Sequence, residues 1–410
     1  MRIALATVGT TGDVRPFAAL AAGLVEAGHR VTAVSWELHR CAFDATGTEF
    51  VAAGPATTAE AIHDTAVRAA AARNPADQVA VLRDFHLREA PAHYRRLREV
   101  LPGHDLVLLH GIHALAQAAA RDARLRWATA VFDPVLLPTR TRPPAGMPQL
   151  GPFNRAAWWL LDRMLRRLDA PLHEALAAAG SPNPGAVTMF RARSPRLHLV
   201  ACAPAIADPP SDLPAFVHVT GAWLPAGEPE PLPTRVTDFL SAGPPPVAVS
   251  FGSMAVEDIA GVWQAVVEAV AAVDARAVVQ MPHAPEAAAP PGVLLLREAV
   301  DHRALFARAA AVVHHGGAGT THTAAAASVP QVVVPHVGDQ PYWAARLRHL
   351  GVAPDPLPAG RLNAERLADR LRAALHDERL QRNAARLGAQ VAADRGVATA
   401  IGLLEEAAAA

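Results

Sequence analysis

Ala309–Thr323 reads AAAVVHHGGAGTTHT, and this stretch decides the fold. An apolar run from Ala309 to Val313 stops at His314-His315. Gly316, Gly317 and Gly319 follow, and Thr320-Thr321 lead into an alanine-rich stretch of helical composition. Strand, glycine turn and helix start make an anion site. The first N–H groups of a helix have no partner within it, and the helix dipole places partial positive charge there. Glycines at the turn permit positive φ and close main-chain approach to a ligand. A phosphate loop normally adds a lysine, yet this chain of 410 residues has none, and all 38 basic residues are arginine. The polar side chains beside the turn are His315, Thr320 and Thr321. Such a site binds by main-chain dipole, imidazole and hydroxyl, which suits a diphosphate attached to something other than ATP.

Outward from this stretch the same grammar of apolar run, turn and helix fills both halves of the chain. Arg2–Val8, Val31–Trp36, Asp105–His110 and Trp127–Phe132 read as strands of the first half. Val247–Ser250, Ala277–Gln280, Gly292–Leu296, Ala310–His314 and Gln331–Pro335 read as strands of the second. Continuous Val/Ile/Leu runs alternating with helices argue for parallel sheets covered on both faces. The expected fold is α/β, with two doubly wound Rossmann-like domains and a cleft between them. The first spans 1–220, a Pro-rich linker 221–246, and the second 247–390. A helix in 391–410 is expected to pack back toward the first domain. Such sheets bind ligands at the carboxyl ends of their strands, so the loops Gly9–Asp13 and His314–Thr321 face the cleft, which suits group transfer.

Composition narrows the function. Basic and acidic residues balance at 38 each, giving no footprint for nucleic-acid binding. Without lysine, a Walker A loop, Schiff-base chemistry and a lysine general base are excluded. Cys41 and Cys202 lie far apart, without metal-ligand spacing, as expected in a reducing cytosol. The apolar start is too short for a signal peptide, and no run of about 20 apolar residues occurs. A cytoplasmic protein with no membrane span is the expectation.

Gly9-Thr10-Thr11-Gly12-Asp13 departs from the G-x-G-x-x-G dinucleotide fingerprint and sets a carboxylate where a phosphate would approach. Asp13 makes better sense as a general base facing a hydroxyl, the plainer alternative being an N-cap. His110 ends a strand of the same domain and is placed to approach Asp13. Ser253, in the Gly-Ser turn after Val247–Ser250, reads as a diphosphate contact or as an ordinary βα turn. Asp339-Gln340 offers acceptors and donors for neighbouring sugar hydroxyls, while Asp339 with Pro341 also reads as a helix start. Trp158, Trp159, Phe153 and Phe190 read as packing residues rather than an acceptor platform.

Four motifs stand in order: GTTGDVRP (Gly9–Pro16), VSFGSM (Val249–Met254), HHGGAGTTHTAAAASVPQVVVP (His314–Pro335) and GDQPYWAARL (Gly338–Leu347). With them the chain resembles the GT-B nucleotide-sugar glycosyltransferases of family 1, notably the bacterial antibiotic (glycopeptide and polyketide) and sterol-type enzymes. The resemblance implies that the first domain binds a small-molecule aglycone and the second a UDP- or dTDP-sugar. It implies Asp13 as the base with Thr10 beside it. His315, Gly317, Gly319, Thr320 and Ser253 would hold the diphosphate, and Asp339 and Gln340 the donor sugar. Val300 and His302 would flank the base. Asp301 stands where relatives often carry proline, which leaves uracil or thymine open. With Asp at the base position, His110 falls near the place of the partner Asp, so the dyad reads as swapped. The implied reaction is direct, inverting and metal-independent, because no second carboxylate is evident as a nucleophile. No cofactor beyond the donor co-substrate is expected, and the chain is expected to be a monomer or homodimer. A sugar-nucleotide epimerase and a non-catalytic auxiliary protein of the same fold are the rival readings.

Overall fold

The structure is a computed structural model describing residues 1–72, 75–144, 147–189, 193–252, 258–286 and 289–409. It divides into two compact units: residues 1–204, 208–226 and 395–410 form the first, and residues 205–207 and 227–394 the second.

The first unit is built on a seven-stranded sheet. Its strands are β1 (Arg2–Ala6), β2 (Arg30–Ser35), β3 (Glu49–Ala52), β4 (Leu106–His110), β5 (Trp127–Val131), β6 (His198–Val200) and β7 (Val217–Val219), in the order β3-β2-β1-β4-β5-β6-β7. The second carries β8 (Val247–Ser250), β9 (Ala277–Gln280), β10 (Val293–Leu296), β11 (Ala311–His314) and β12 (Gln331–Val333), in the order β10-β9-β8-β11-β12. Every strand pair is parallel, with Ala6 beside Leu109 and Ser250 beside His314 in register. Strand order reverses at β1/β4 and at β8/β11, and doubly wound sheets open their ligand crevice at such points. Ile3, Leu5, Leu108, Val249, Val278 and Val313 are among the strand residues sealed in the cores, as expected for sheets covered on both faces.

The doubly wound α/β architecture agrees with the sequence reading, but several boundaries move. The first helix runs Thr11–Glu26, so Asp13 lies in its first turn rather than in a loop. Residues 221–246 are not a free linker. Thr234–Ser241 is a helix whose Val236 and Leu240 enter the core of the second unit with Ala248, Leu305 and Phe306. The Pro-rich composition hid that amphipathic turn. The second unit continues to Asp394, past the expected end at 390. The last helix, Gly396–Ala409, belongs to the first unit and packs on Thr11–Glu26. Gly23 permits this, because a Cβ there would stand 2.5 Å from Val397 Cγ1.

The aromatic group splits. Trp158 is buried and donates to the Arg142 carbonyl at 2.7 Å, whereas Phe153 and Trp159 are exposed. Phe190 lies outside the described residues. Among the described residues no helix is long and apolar enough to cross a membrane.

Candidate functional site

In the first unit the candidate groups gather at the carboxyl ends of β1, β4 and β5. Thr10 is the N-cap of the helix Thr11–Glu26, and Asp13 is its third residue. Asp13 Oδ2 accepts the Thr10 N–H at 2.7 Å and the Thr10 hydroxyl at 2.9 Å. This pairing starts the helix and clamps one carboxylate oxygen. Asp13 thus has a structural role, and the cap itself is Thr10. The other oxygen, Oδ1, is 3.8 Å from His110 Nε2.

His110 is buried against Phe17 and Phe132, with ring centroids at 5.7 and 5.0 Å. Its Nδ1 faces the Val8 carbonyl at 3.3 Å. A carbonyl only accepts, so Nδ1 carries the proton, and the Nε2 lone pair of the neutral ring turns to Asp13. Burial lowers the His110 pKa, and the charge of Asp13 opposes that shift.

Three further groups at this rim escaped the sequence reading. Asp133 follows β5 by two residues and accepts the Val135 N–H at 2.8 Å. Burial, with a contribution from the charge of Asp13, pushes its carboxyl up to about 6. A second carboxylate, which the sequence reading did not name, therefore stands within electrostatic reach of Asp13. His39 Nδ1 bonds Ser35 Oγ at 2.8 Å, and Ser35 in turn donates to the Thr7 carbonyl at 2.7 Å. His86 closes the helix Pro75–His86; burial drives its pKa down to about 4, against the pull of Asp13. Asp133 was readable in principle, since it occupies the same place after a buried strand as the Gly9–Asp13 loop does. His39 and His86 carried no such signal.

In the second unit the corresponding rim is formed by β8, β11 and β12. The helix Ala318–Ala326 starts after Gly317, and its first internal bond is Thr321 N–H to the Gly317 carbonyl, 2.9 Å. The N–H groups of Ala318, Gly319 and Thr320 precede that bond and stand at the positive end of the helix dipole. Gly316 takes φ +90°, and a Cβ on it would meet Val333 Cγ1 at 2.8 Å. At Gly317 a Cβ would stand 2.4 Å from His315 Nε2, so this glycine seats the imidazole over the helix start. His315 Nδ1 is buried without a hydrogen-bond partner, and burial drives its pKa down to about 3. The Thr321 hydroxyl is likewise buried and unpartnered.

The remaining donor-side residues divide. Ser253 lies outside the described residues. The Val300 side chain is in the core, so only its main chain is available to a ligand. His302 stacks on Phe306 with centroids 4.6 Å apart, and its Nε2 bonds Gln280 Oε1 at 2.6 Å. Gln280 Oε1 also accepts the Ser250 hydroxyl at 2.9 Å. Asp301 caps the short helix His302–Phe306 and pairs with Arg303 at 2.8 Å, which accounts for the acid at that position. Asp339 is the N-cap of Gln340–His349, and its carboxylate accepts Trp343 Nε1 at 2.6 Å. Gln340 is buried, and its Oε1 accepts the N–H groups of His336 and Val337 at 2.8 and 3.1 Å. That carbonyl shapes the loop. His336, read in the sequence only as part of the loop His336-Val337-Gly338, packs edge-on to Phe251 with centroids 6.1 Å apart.

The chain is similar to known proteins in sequence and in fold. Residues 264–406 match the family described as erythromycin biosynthesis protein CIII-like, C-terminal domain. The O-mycaminosyltylonolide 6-deoxyallosyltransferase of Streptomyces fradiae is 36% identical over 99% of this chain and 97% of its own. The kitacinnamycin glycotransferase structure superposes with a TM-score of 0.75, at 22% identity, over 99% of this chain and 98% of that one. The glycosyltransferase VinC, solved in complex with dTDP, superposes with a TM-score of 0.66, at 22% identity, over the whole of both chains. The chain belongs to the GT-B glycosyltransferases of family 1.

Proposed function

We propose that this glycosyltransferase moves a sugar from a dTDP- or UDP-sugar to a hydroxyl of a natural-product aglycone, with Asp13 as general base. The observation that supports it most is the helix start at Gly317–Thr320, where unpaired amides and the unpartnered His315 present a site for a leaving diphosphate. The dTDP bound to VinC favours a thymidine donor. The acceptor is held by the first unit and the donor by the second.

Asp13 Oδ1 removes the hydroxyl proton as the acceptor oxygen forms its bond to the anomeric carbon. The bond from that carbon to the diphosphate oxygen breaks in the same step, through a transition state of oxocarbenium character. The charge leaving on the diphosphate meets the first-turn amides and His315, placed where charge develops. The displacement is single and inverts the anomeric carbon. Asp133 belongs to the acceptor unit with Asp13, and we assign it to holding a proton there rather than to attacking the sugar. Neither a metal nor a further cofactor has a place in this scheme.

The test is a mass-spectrometric screen of the purified protein with UDP- and dTDP-sugars against polyketide, glycopeptide and sterol acceptors. A glycosylated product of inverted anomeric configuration is expected. Isomerisation of the donor without an acceptor would instead identify an epimerase, and retention of configuration would remove the single displacement.

A further inference from the structure

His336 lies on the loop between β12 and the helix Gln340–His349, at the same rim as His315. Its main-chain N–H is fixed by Gln340 Oε1 at 2.8 Å, and its ring is set against Phe251, which follows β8. Strand β11, which delivers His315, lies between β8 and β12 in the sheet, so the two imidazoles are neighbours. Each has one ring nitrogen sealed from solvent without a partner, Nδ1 in His315 and Nε2 in His336. Buried polar atoms are nearly always hydrogen-bonded, and orphans at a functional rim mark groups awaiting a ligand.

The charge balance at this rim sharpens the point. A nucleoside diphosphate is a multiple anion and needs compensating charge. The groups whose charges reach His315 are His314, His336 and His302, with no arginine among them. His314 is neutral by its bonding: Nδ1 accepts the Gly316 N–H at 3.0 Å, and Nε2 therefore donates to Gln331 Oε1 at 2.9 Å. His302 is committed to Gln280. Asp339, at the start of the neighbouring helix, is an acid bonded to Trp343, and Gln340 is neutral. Helix amides supply partial charge only. Among the described residues of this rim, the cations available to balance a diphosphate are thus protonated His315 and His336.

We propose that His336 is a second imidazole ligand of the leaving diphosphate, paired with His315, and that nucleotide binding draws a proton from solvent onto this pair. The inference rests on the reading that the rim of the second unit holds the donor diphosphate. Both rings are neutral in the free protein because burial disfavours their charged forms, and an anion placed against them reverses that preference. Departure of the diphosphate in catalysis then occurs against donors that already carry charge.

Titration calorimetry of the full-length protein with dTDP and with UDP, in pairs of buffers of different ionisation enthalpy, reads the protons taken up. The wild type is expected to gain protons at pH 7, and its affinity to weaken toward tenfold per pH unit for each proton taken up. His336→Phe keeps the ring packing on Phe251 but cannot titrate, so affinity should fall about fivefold to tenfold and uptake should drop. His336→Gln can still donate a hydrogen bond; it should recover part of the affinity without the uptake. The nucleotide's own titration is common to all three proteins, so their differences isolate the imidazoles. His349→Gln, on an exposed position of the same unit, should match the wild type. Unchanged uptake and affinity in both His336 variants, with normal binding of nucleotide, would overturn the proposal alone. Failure of the wild type to bind either nucleotide would overturn the donor site itself.

Discussion

His110 Nε2 lies 3.8 Å from Asp13 Oδ1, while His110 Nδ1 points at the Val8 carbonyl at 3.3 Å. The tautomer set by that carbonyl turns a lone pair toward the carboxylate, so a proton arriving on Asp13 has a second acceptor beside it. Thr10 binds the opposite carboxylate oxygen through both its N–H and its hydroxyl, leaving Oδ1 as the oxygen that faces His110.

Asp13→Asn should lower kcat by about a hundredfold to ten-thousandfold, the usual range for a lost general base. Asparagine keeps an oxygen to accept from Thr10, so the helix start survives. Nucleotide affinity, measured by calorimetry, should stay within about threefold of wild type because the donor amides lie in the other unit. Normal turnover by this variant would remove Asp13 from the base role.

His110→Asn should reduce kcat by about tenfold to a hundredfold, with little change in the donor KM. The shape of the pH profile is the discriminating readout. If the dyad shares the proton, the acid limb of kcat shifts when the imidazole is lost. A uniform drop at every pH would reduce His110 to a packing residue.

Asp133 is protonated in the folded protein over a pH window where the unfolded chain has already lost that proton. Its folded value is about 6 and its ordinary value 3.8, so stability falls as pH rises between them and stays lower above. Asp133→Asn, which still accepts from Val135, should therefore stabilise the protein at pH 7 by up to about 3 kcal/mol and change little at pH 4. Denaturant melts at the two pH values check this, and an equal effect at both would show that charge is not the cause.

Gly317 and Gly319 should separate two kinds of glycine requirement. Gly317→Ala puts a methyl 2.4 Å from His315 Nε2 and must move the imidazole, so nucleotide binding should weaken about tenfold or more. Gly319 has open space around its would-be Cβ, so Gly319→Ala should leave the melting temperature unchanged or raise it slightly. Nucleotide affinity should nevertheless drop if a phosphate comes close to its amide. Full affinity in both variants would move the diphosphate elsewhere.

His198, His314 and His322 are sealed in the interior and held neutral by burial, with pKa values of about 3, 4 and 4. In the unfolded chain each takes a proton below its ordinary value of 6.5, so the unfolded state holds more protons from there down to those folded values. Stability should fall as pH drops below 6.5, by at most about 1.4 kcal/mol per pH unit for each group. Urea midpoints at pH 7, 6 and 5 would show it, and a flat series would contradict the neutral assignment.

The strands β1, β2, β4, β5 and β8 to β12 were legible because buried parallel strands must be apolar throughout, whereas β3 and the helices Ala59–Ala70, Pro75–His86, Ala90–Val100 and Asn154–Leu168 were not. The glycine turn at 316–319 was legible too, since few residues other than glycine tolerate the backbone of Gly316 or the ring above Gly317. The short strands β6 and β7, three residues each, were not, because their pairing rather than their pattern makes them strands. The helix Thr234–Ser241 was hidden by its proline-rich flanks.

Local order along the chain was enough to place Asp13 and His315 after strands and at helix starts, because strand, turn and helix follow one another in sequence. Which side chains meet across a sheet was decided only by strand order. His110 arrives beside Asp13 because β4 pairs with β1 across the 99 residues that separate them, and Asp133 joins them because β5 comes next. His336 approaches His315 for the same reason, through β12 and β11. Burial, and with it the protonation state of each of these groups, is a property of the packed unit and has no counterpart in the order of residues.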